Sequence, residues 1–176
     1  AWKTVSSKYL FRRPWLTVRC EDMLLPNGNH IPEYYILEYP DWVNTIAITK
    51  EGKFVFVRQY RPGIQRTCYE LCAGVCEAED ASPLVSAQRE LWEETGYGKG
   101  NWQEYMVVSA NPSTHTNLTH CFLATDVELI DHQHLEDTED LSVHLLTLEE
   151  VRSLLENNEI MQSLNAAPLW KYMAGL

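Results

Sequence analysis

The stretch from Ser82 to Gly96, SPLVSAQRELWEETG, limits what this chain can fold into more than any other. Serine followed by proline is a helix start: the serine side chain caps the first free N–H groups, and proline lacks a donor that would go unused there anyway. Gly96 supplies the stop. At about 100° per residue, Leu84, Val85, Leu91, Trp92 and Thr95 follow the spacing of one buried stripe, and Glu90, Glu93 and Glu94 fall together on the opposite side. Like charges one turn apart destabilise a helix unless something neutralises them. Oxygen-only ligands suit a hard cation such as Mg²⁺ or Mn²⁺, and Arg89 can pair with Glu93 one turn on. The plain alternative is a solvated acidic face.

A length of 176 residues with 45% hydrophobic and 22% charged content suits one globular domain with a sizeable core. No apolar run approaches the roughly 20 residues that span a bilayer, and AWKTVSSKYLFRRPW does not read as a signal peptide, so a cytoplasmic protein is expected. A net charge of −11 disfavours nucleic acid and anionic membrane as partners, although it leaves room for a small phosphate substrate. Five cysteines cannot all pair. Cys68, Cys72 and Cys76 recur every four residues, but zinc pairs are usually closer, so these read as structural thiols. His132 and His134 lie in an acidic polar stretch that needs no metal to explain it.

Turn signals divide the rest. Residues 15–39 read as a hairpin about Pro26-Asn27-Gly28-Asn29, and Val43–Thr49 with Phe54–Tyr60 as a second about Glu51-Gly52. Thr67–Leu71, Tyr105–Ser109, Thr119–Val127 and Leu141–Leu146 read as further strands. Thr147-Leu148-Glu149-Glu150 opens a helix with a capping box, and a last helical piece near 161–174 is broken or begun at Pro168. The class is α+β, a mixed sheet packed against helices.

Gly74 and the run Arg89-Glu90-Leu91-Trp92-Glu93-Glu94-Thr95-Gly96-Tyr97 closely resemble the Nudix box, Gly-x5-Glu-x7-Arg-Glu-U-x-Glu-Glu-x-Gly-U with U bulky or aliphatic. The second half matches at each fixed position. The first half is one residue longer than the pattern, so its first acid falls on Asp80 counted from Gly74 and on Ala81 counted back from Arg89. This resemblance implies a Nudix α/β/α sandwich, with residues 1–42 as an N-terminal hairpin extension and 43–176 as the hydrolase domain.

Arg58-Gln59-Tyr60-Arg61 followed by Tyr69-Glu70-Leu71-Cys72-Ala73-Gly74 resembles the branch that hydrolyses ADP-ribose and other nucleoside diphosphate sugars, with Cys72 in place of the usual proline. The resemblance implies metal ligation by the Ala73 carbonyl, Glu90 and Glu94, with Glu93 as a further ligand or a base. It implies substrate contacts from Arg58, Arg61 and Glu70. It also places Trp15 where some members stack the base, while a core tryptophan fits that position as well. In this branch the N-terminal hairpin commonly crosses to a second subunit, which implies a homodimer. The branch's Ser-Pro-Gly-x-x-x-Glu after the box is replaced by Ser109-Ala110-Asn111-Pro112-Ser113-Thr114-His115-Thr116-Asn117. Related hydrolases often draw the general base from a loop before the last strand; here that is 135–140, with Glu136 or Asp137 first and Glu139 next. The expected activity is Mg²⁺- or Mn²⁺-dependent hydrolysis of a nucleoside diphosphate sugar, ADP-ribose leading and GDP-mannose or another sugar nucleotide next. A ligand-binding Nudix module without turnover is the rival from another class.

Overall fold

The computed structural model describes residues 1–176. The chain forms two compact units, Ala1–Pro40 with Ser109–Leu118, and Asp41–Val108 with Thr119–Leu176.

The first unit is an antiparallel three-stranded sheet in the order β1 (Lys3–Arg13), β2 (Leu16–Leu24), β3 (His30–Glu38). The β2–β3 hairpin turns where Pro26-Asn27-Gly28-Asn29 was expected to turn it, with Gly28 at φ 87°. Strand β1 is an addition to the expected hairpin. Every residue of KTVSSKYLFRR is exposed, so burial imposed no alternation on its sequence. Trp15 sits in the turn between β1 and β2 at φ 66° and is 79% exposed, which removes the option of a core tryptophan. Ser109–Leu118 is held to β3: the Leu37 N–H donates to the Thr114 carbonyl (2.9 Å), the Thr116 N–H to the Leu37 carbonyl (3.1 Å), and the Tyr34 hydroxyl to the Ser113 carbonyl (2.6 Å).

In the second unit β4 (Trp42–Thr49), β5 (Phe54–Arg61), β6 (Arg66–Val75), β7 (Tyr97–Gly98), β8 (Asn101–Val108), β9 (Thr119–Leu129) and β10 (Leu141–Leu146) form one sheet. Its order is β10-β5-β6-β4-β9-β7, with β8 pairing β9, and only β4 and β9 run parallel among its pairs. Central β4 is buried almost throughout because both of its faces are covered. Ile46, Phe56 and Leu71 pack on Val151 and Leu155 of α2 (Leu148–Glu156) and Leu169 of α3 (Ser163–Ala174). Ala47, Val55 and Cys72 pack on Leu91 of α1 (Pro83–Thr95). Helices on both faces of a mixed sheet make the expected α/β/α sandwich. Each fully buried aliphatic or aromatic side chain contributes about 1.5–3 kcal/mol.

The caps of α1 are as the sequence implied: Ser82 accepts from the Val85 N–H (3.3 Å), and Gly96 closes the helix at φ 76°. Its packed face differs. Val85 is exposed, whereas Ser86, Ala87, Leu91, Glu94 and Thr95 are buried. Pro168 neither breaks nor begins α3 but lies inside it. A proline there leaves the carbonyl of Leu164, four residues back, without its helical donor. Asn44 of β4 supplies one, Nδ2 to the Leu164 oxygen at 2.8 Å, and so ties α3 to the middle of the sheet.

Candidate active site

Strand β6 runs on past Leu71 to Val75, and this added length positions the site. It presents the N–H of Ala73 to Glu94 Oε2 and the N–H of Val75 to Glu90 Oε1, each at 3.3 Å. Between them a Cβ on Gly74 would fall onto the Glu90 carboxyl group, so only glycine lets the α1 acid and the strand approach this closely. The acids do not face outward from α1, as the helical period suggested. Glu90 and Glu94 lie on the side that packs against β6, with Glu94 only 5% exposed, while Glu93 stays half-exposed beside Arg89.

Charge in this seam is unbalanced. Burial, with the neighbouring Glu90 and Glu139 charges adding to it, raises the Glu94 carboxyl from its ordinary 4.5 to about 8. Burial first, and Glu93 after it, raises Glu90 to about 7. Arg89 compensates in part: one guanidinium nitrogen bonds Glu90 (3.1 Å) and Glu93 (3.0 Å), the other Asp80 (2.9 Å) and the Val75 carbonyl (3.0 Å). Asp80, gripped by Arg89 and then by the Ser86 hydroxyl (2.7 Å), is lowered to about 2. Of the two positions onto which the first acid could fall, Asp80 is the one that meets Arg89.

Ala73, Gly74 and Val75 line a cavity of about 640 Å³ that also takes in Arg61 and Glu70. Glu70 is almost fully buried and holds Arg61 in a fork, Oε1 to Nε at 2.8 Å and Oε2 to a terminal nitrogen at 2.5 Å. A bidentate pair of this kind fixes a guanidinium's direction, while the Arg61 side chain stays 44% exposed for an anion. Arg58 is not brought here. Three positions before Arg61 on β5, it lies over the Tyr69 ring (5.4 Å), which meets His144 edge-on, and it is not part of the cavity wall. Met161, Gln162, Leu164 and Asn165, at the start of α3, form a wall that motif reasoning missed. The bond from Asn44 to the Leu164 carbonyl helps to hold this wall on the sheet, and no local pattern announces it.

Glu136, Asp137 and Glu139 are exposed in the stretch before β10. Glu139 accepts from the Glu136 N–H (2.8 Å), and its charge is the one of the three that bears on Glu94. Of the histidines, His120 bonds Asp41 (3.1 Å) and His115 packs against Tyr39 (5.1 Å between centroids). Cys20, Cys68, Cys72 and Cys121 are buried free thiols, and Cys76 is half-buried and also free.

Glycine between two strand N–H groups that bond paired acids, an arginine-bound aspartate beside them, and an Arg61–Glu70 fork in the adjoining cavity are the features the box motif led one to look for. The NUDIX domain model matches residues 39–166, and the model for the nucleoside diphosphate sugar hydrolase N-terminal domain matches residues 2–37. The chain belongs to the NUDIX family and is a Nudix hydrolase. It is 31% identical over 165 residues to an ADP-ribose pyrophosphatase of Bacillus subtilis (strain 168), covering 93% of this chain and 88% of that protein. It is 30% identical over 162 residues to a methanol dehydrogenase activator of Bacillus methanolicus, covering 92% and 86%. A crystal structure of an ADP compounds hydrolase superposes with a TM-score of 0.85 at 20% identity, over 99% of this chain and 95% of that one, and shares the fold.

Hydrolases of this family use divalent metal ions. The residues present fit one: buried carboxylates carry oxygen donors suited to a hard cation, and their raised affinity for protons marks a seam short of positive charge.

Proposed function

We propose that the protein hydrolyses the diphosphate bond of a nucleoside diphosphate sugar, with ADP-ribose favoured, and releases a nucleoside monophosphate and a sugar phosphate. The observation that carries this is that Ala73–Val75, whose N–H groups bond Glu94 and Glu90 of α1, line the same cavity as the Arg61–Glu70 fork. The B. subtilis relative named as an ADP-ribose pyrophosphatase, and one from Mycobacterium tuberculosis at 25% identity over 167 residues, support ADP-ribose as the first substrate to try.

In this proposal Glu90, Glu94 and the Ala73 carbonyl would hold Mg²⁺ (or Mn²⁺), with Glu93 either joining them or staying with Arg89. A cation held there would supply charge to neutralise the diphosphate and to lower the pKa of attacking water. Arg61, aimed by Glu70, holds the diphosphate and orients the phosphorus for attack. An acid of the loop before β10 takes the water's proton as the new P–O bond forms and the bridging P–O bond breaks. Glu139 leads Glu136 and Asp137 for this task, because its charge already reaches Glu94. Trp15 offers an exposed ring to stack the base, a contact worth about 1–3 kcal/mol. Strand β1, exposed along its length with Val5, Tyr9 and Phe11 uncovered, is the edge that a second copy of the chain would cover in a homodimer. Five free cysteines support a reducing, cytoplasmic setting.

The test is product analysis by mass spectrometry with Mg²⁺ present, over ADP-ribose, GDP-mannose and other sugar nucleotides. AMP and ribose phosphate from ADP-ribose, at the highest kcat/KM of the panel, is the expected result. Release of no nucleoside monophosphate from any member overturns the proposal.

A further inference from the structure

Immediately beyond β9 the chain returns to the C-terminal end of α1. The N–H groups of Ile130 and Asp131 donate to the Gly96 carbonyl (2.9 and 3.1 Å), the His134 N–H to the Glu93 carbonyl (2.7 Å) and Gln133 Nε2 to the Glu94 carbonyl (2.7 Å). His134 stacks on Trp92, 4.1 Å between centroids and 26° between planes. Gly96 permits the approach, since a Cβ there would meet the Asp131 carbonyl. Far from being a loose solvated run, this segment is fastened by three backbone N–H groups, one side-chain amide and one ring.

The fastening gathers three donor groups. The Asp131 carboxylate lies between two imidazoles, Oδ1 at 2.8 Å from His132 Nδ1 and Oδ2 at 3.0 Å from His134 Nε2. The donor atoms of the three residues all lie within 4.8 Å of one another. A tetrahedral ion with metal–ligand distances of about 2.0–2.2 Å needs donors roughly 3.3–3.6 Å apart, so small rotations of the side chains would seat one. Hydrogen bonds from His134 first, and from the His132 backbone next, lower the Asp131 carboxyl to about 2 and keep it ionised as a ligand. The nearby C-terminus of α1 adds the negative end of the helix dipole. Because the segment is already held, binding an ion costs little further ordering.

We infer that Asp131, His132 and His134 form a second metal site, separate from the α1–β6 seam, for Zn²⁺ or a similar borderline transition-metal ion. Two imidazoles and one carboxylate favour such ions over Mg²⁺, which prefers oxygen alone. The open fourth position belongs to water.

Calorimetric titration of the full chain with Zn²⁺, at saturating Mg²⁺ so that the catalytic acids are occupied, tests the assignment. One zinc per chain is expected. His132→Ala, at a side chain 79% exposed, should weaken zinc binding by roughly tenfold or more with the zinc-free Tm unchanged. Asp131→Asn provides an independent second variant with the same expected loss. No zinc uptake by the wild type overturns the assignment. So does uptake that persists at full affinity in both variants, because the zinc then sits on thiols or on the α1 acids.

Discussion

Two groups of acids lie close in charge yet differ in how the fold treats them. Glu94 is buried and Glu90 largely so; both are fixed by strand N–H groups and pushed up, Glu90 to about 7 and Glu94 to about 8. Glu136, Asp137 and Glu139 are exposed and bond only among themselves, as in the 2.8 Å contact from the Glu136 N–H to Glu139. Buried carboxylates with fixed directions suit holding a cation, which offsets their desolvation. Exposed acids on a turn keep an ordinary solvated environment and freedom to move, which suits passing a proton and closing over substrate. Under the proposed function, position in the fold assigns different work to the same side-chain chemistry.

The largest expected effect comes from the fixed group. Glu94→Gln keeps size and removes ligand charge, so kcat should fall by orders of magnitude, each tenfold being about 1.4 kcal/mol of barrier, with Tm little changed or raised. Full kcat in this variant at saturating Mg²⁺ would break the division of labour. Gly74→Ala comes next: the new methyl group displaces the Glu90 carboxyl, and Mg²⁺ affinity measured through activity should drop roughly 10–100-fold. Retained affinity would mean the glycine cradle is unnecessary. For the exposed group, Glu139→Gln should lower kcat roughly tenfold or more without altering metal affinity. Full kcat in Glu139→Gln, but not in Glu136→Gln or Asp137→Asn, would return the role to its neighbours.

The smallest effect is on stability against pH. Without metal, raised carboxyl pKa values mean that the fold holds protons which the unfolded chain has released. Their stabilisation is complete below about pH 4.5 and disappears as pH rises through about 7 and 8. Asp80, lowered to about 2, contributes no slope in that window. Metal-free Tm, followed by calorimetry, should therefore fall from about pH 5 to 8, and Mg²⁺ should raise it more at the upper end. A Tm gain from Mg²⁺ that is larger at pH 5 would contradict the sign.

Much of the fixed group was legible in the sequence, because capping, period and box spacing are local. Ser82, Pro83 and Gly96 bound α1 as chemistry requires, and Arg89 reaches Glu93 one turn on. The side on which the acids lie was not legible. An amphipathic period cannot distinguish a solvated acid face from one packed on a strand, and Val85 and Glu94 exchanged places accordingly. The α3 wall and Pro168 depend on Asn44, more than a hundred positions away, and β1 carries no buried face to pattern its sequence. Nor does spacing reveal that Asp80 bonds Arg89, because the loop between Gly74 and the helix has no period to follow.

The most direct measurement is Mn²⁺ binding followed by electron paramagnetic resonance, on wild type, Glu94→Gln and Glu139→Gln. If the buried seam of α1 and β6 holds the cation, Glu94→Gln should lose roughly tenfold or more in affinity while Glu139→Gln binds as wild type does. Unchanged Mn²⁺ affinity in Glu94→Gln, or its loss in Glu139→Gln alone, would contradict that placement of the metal.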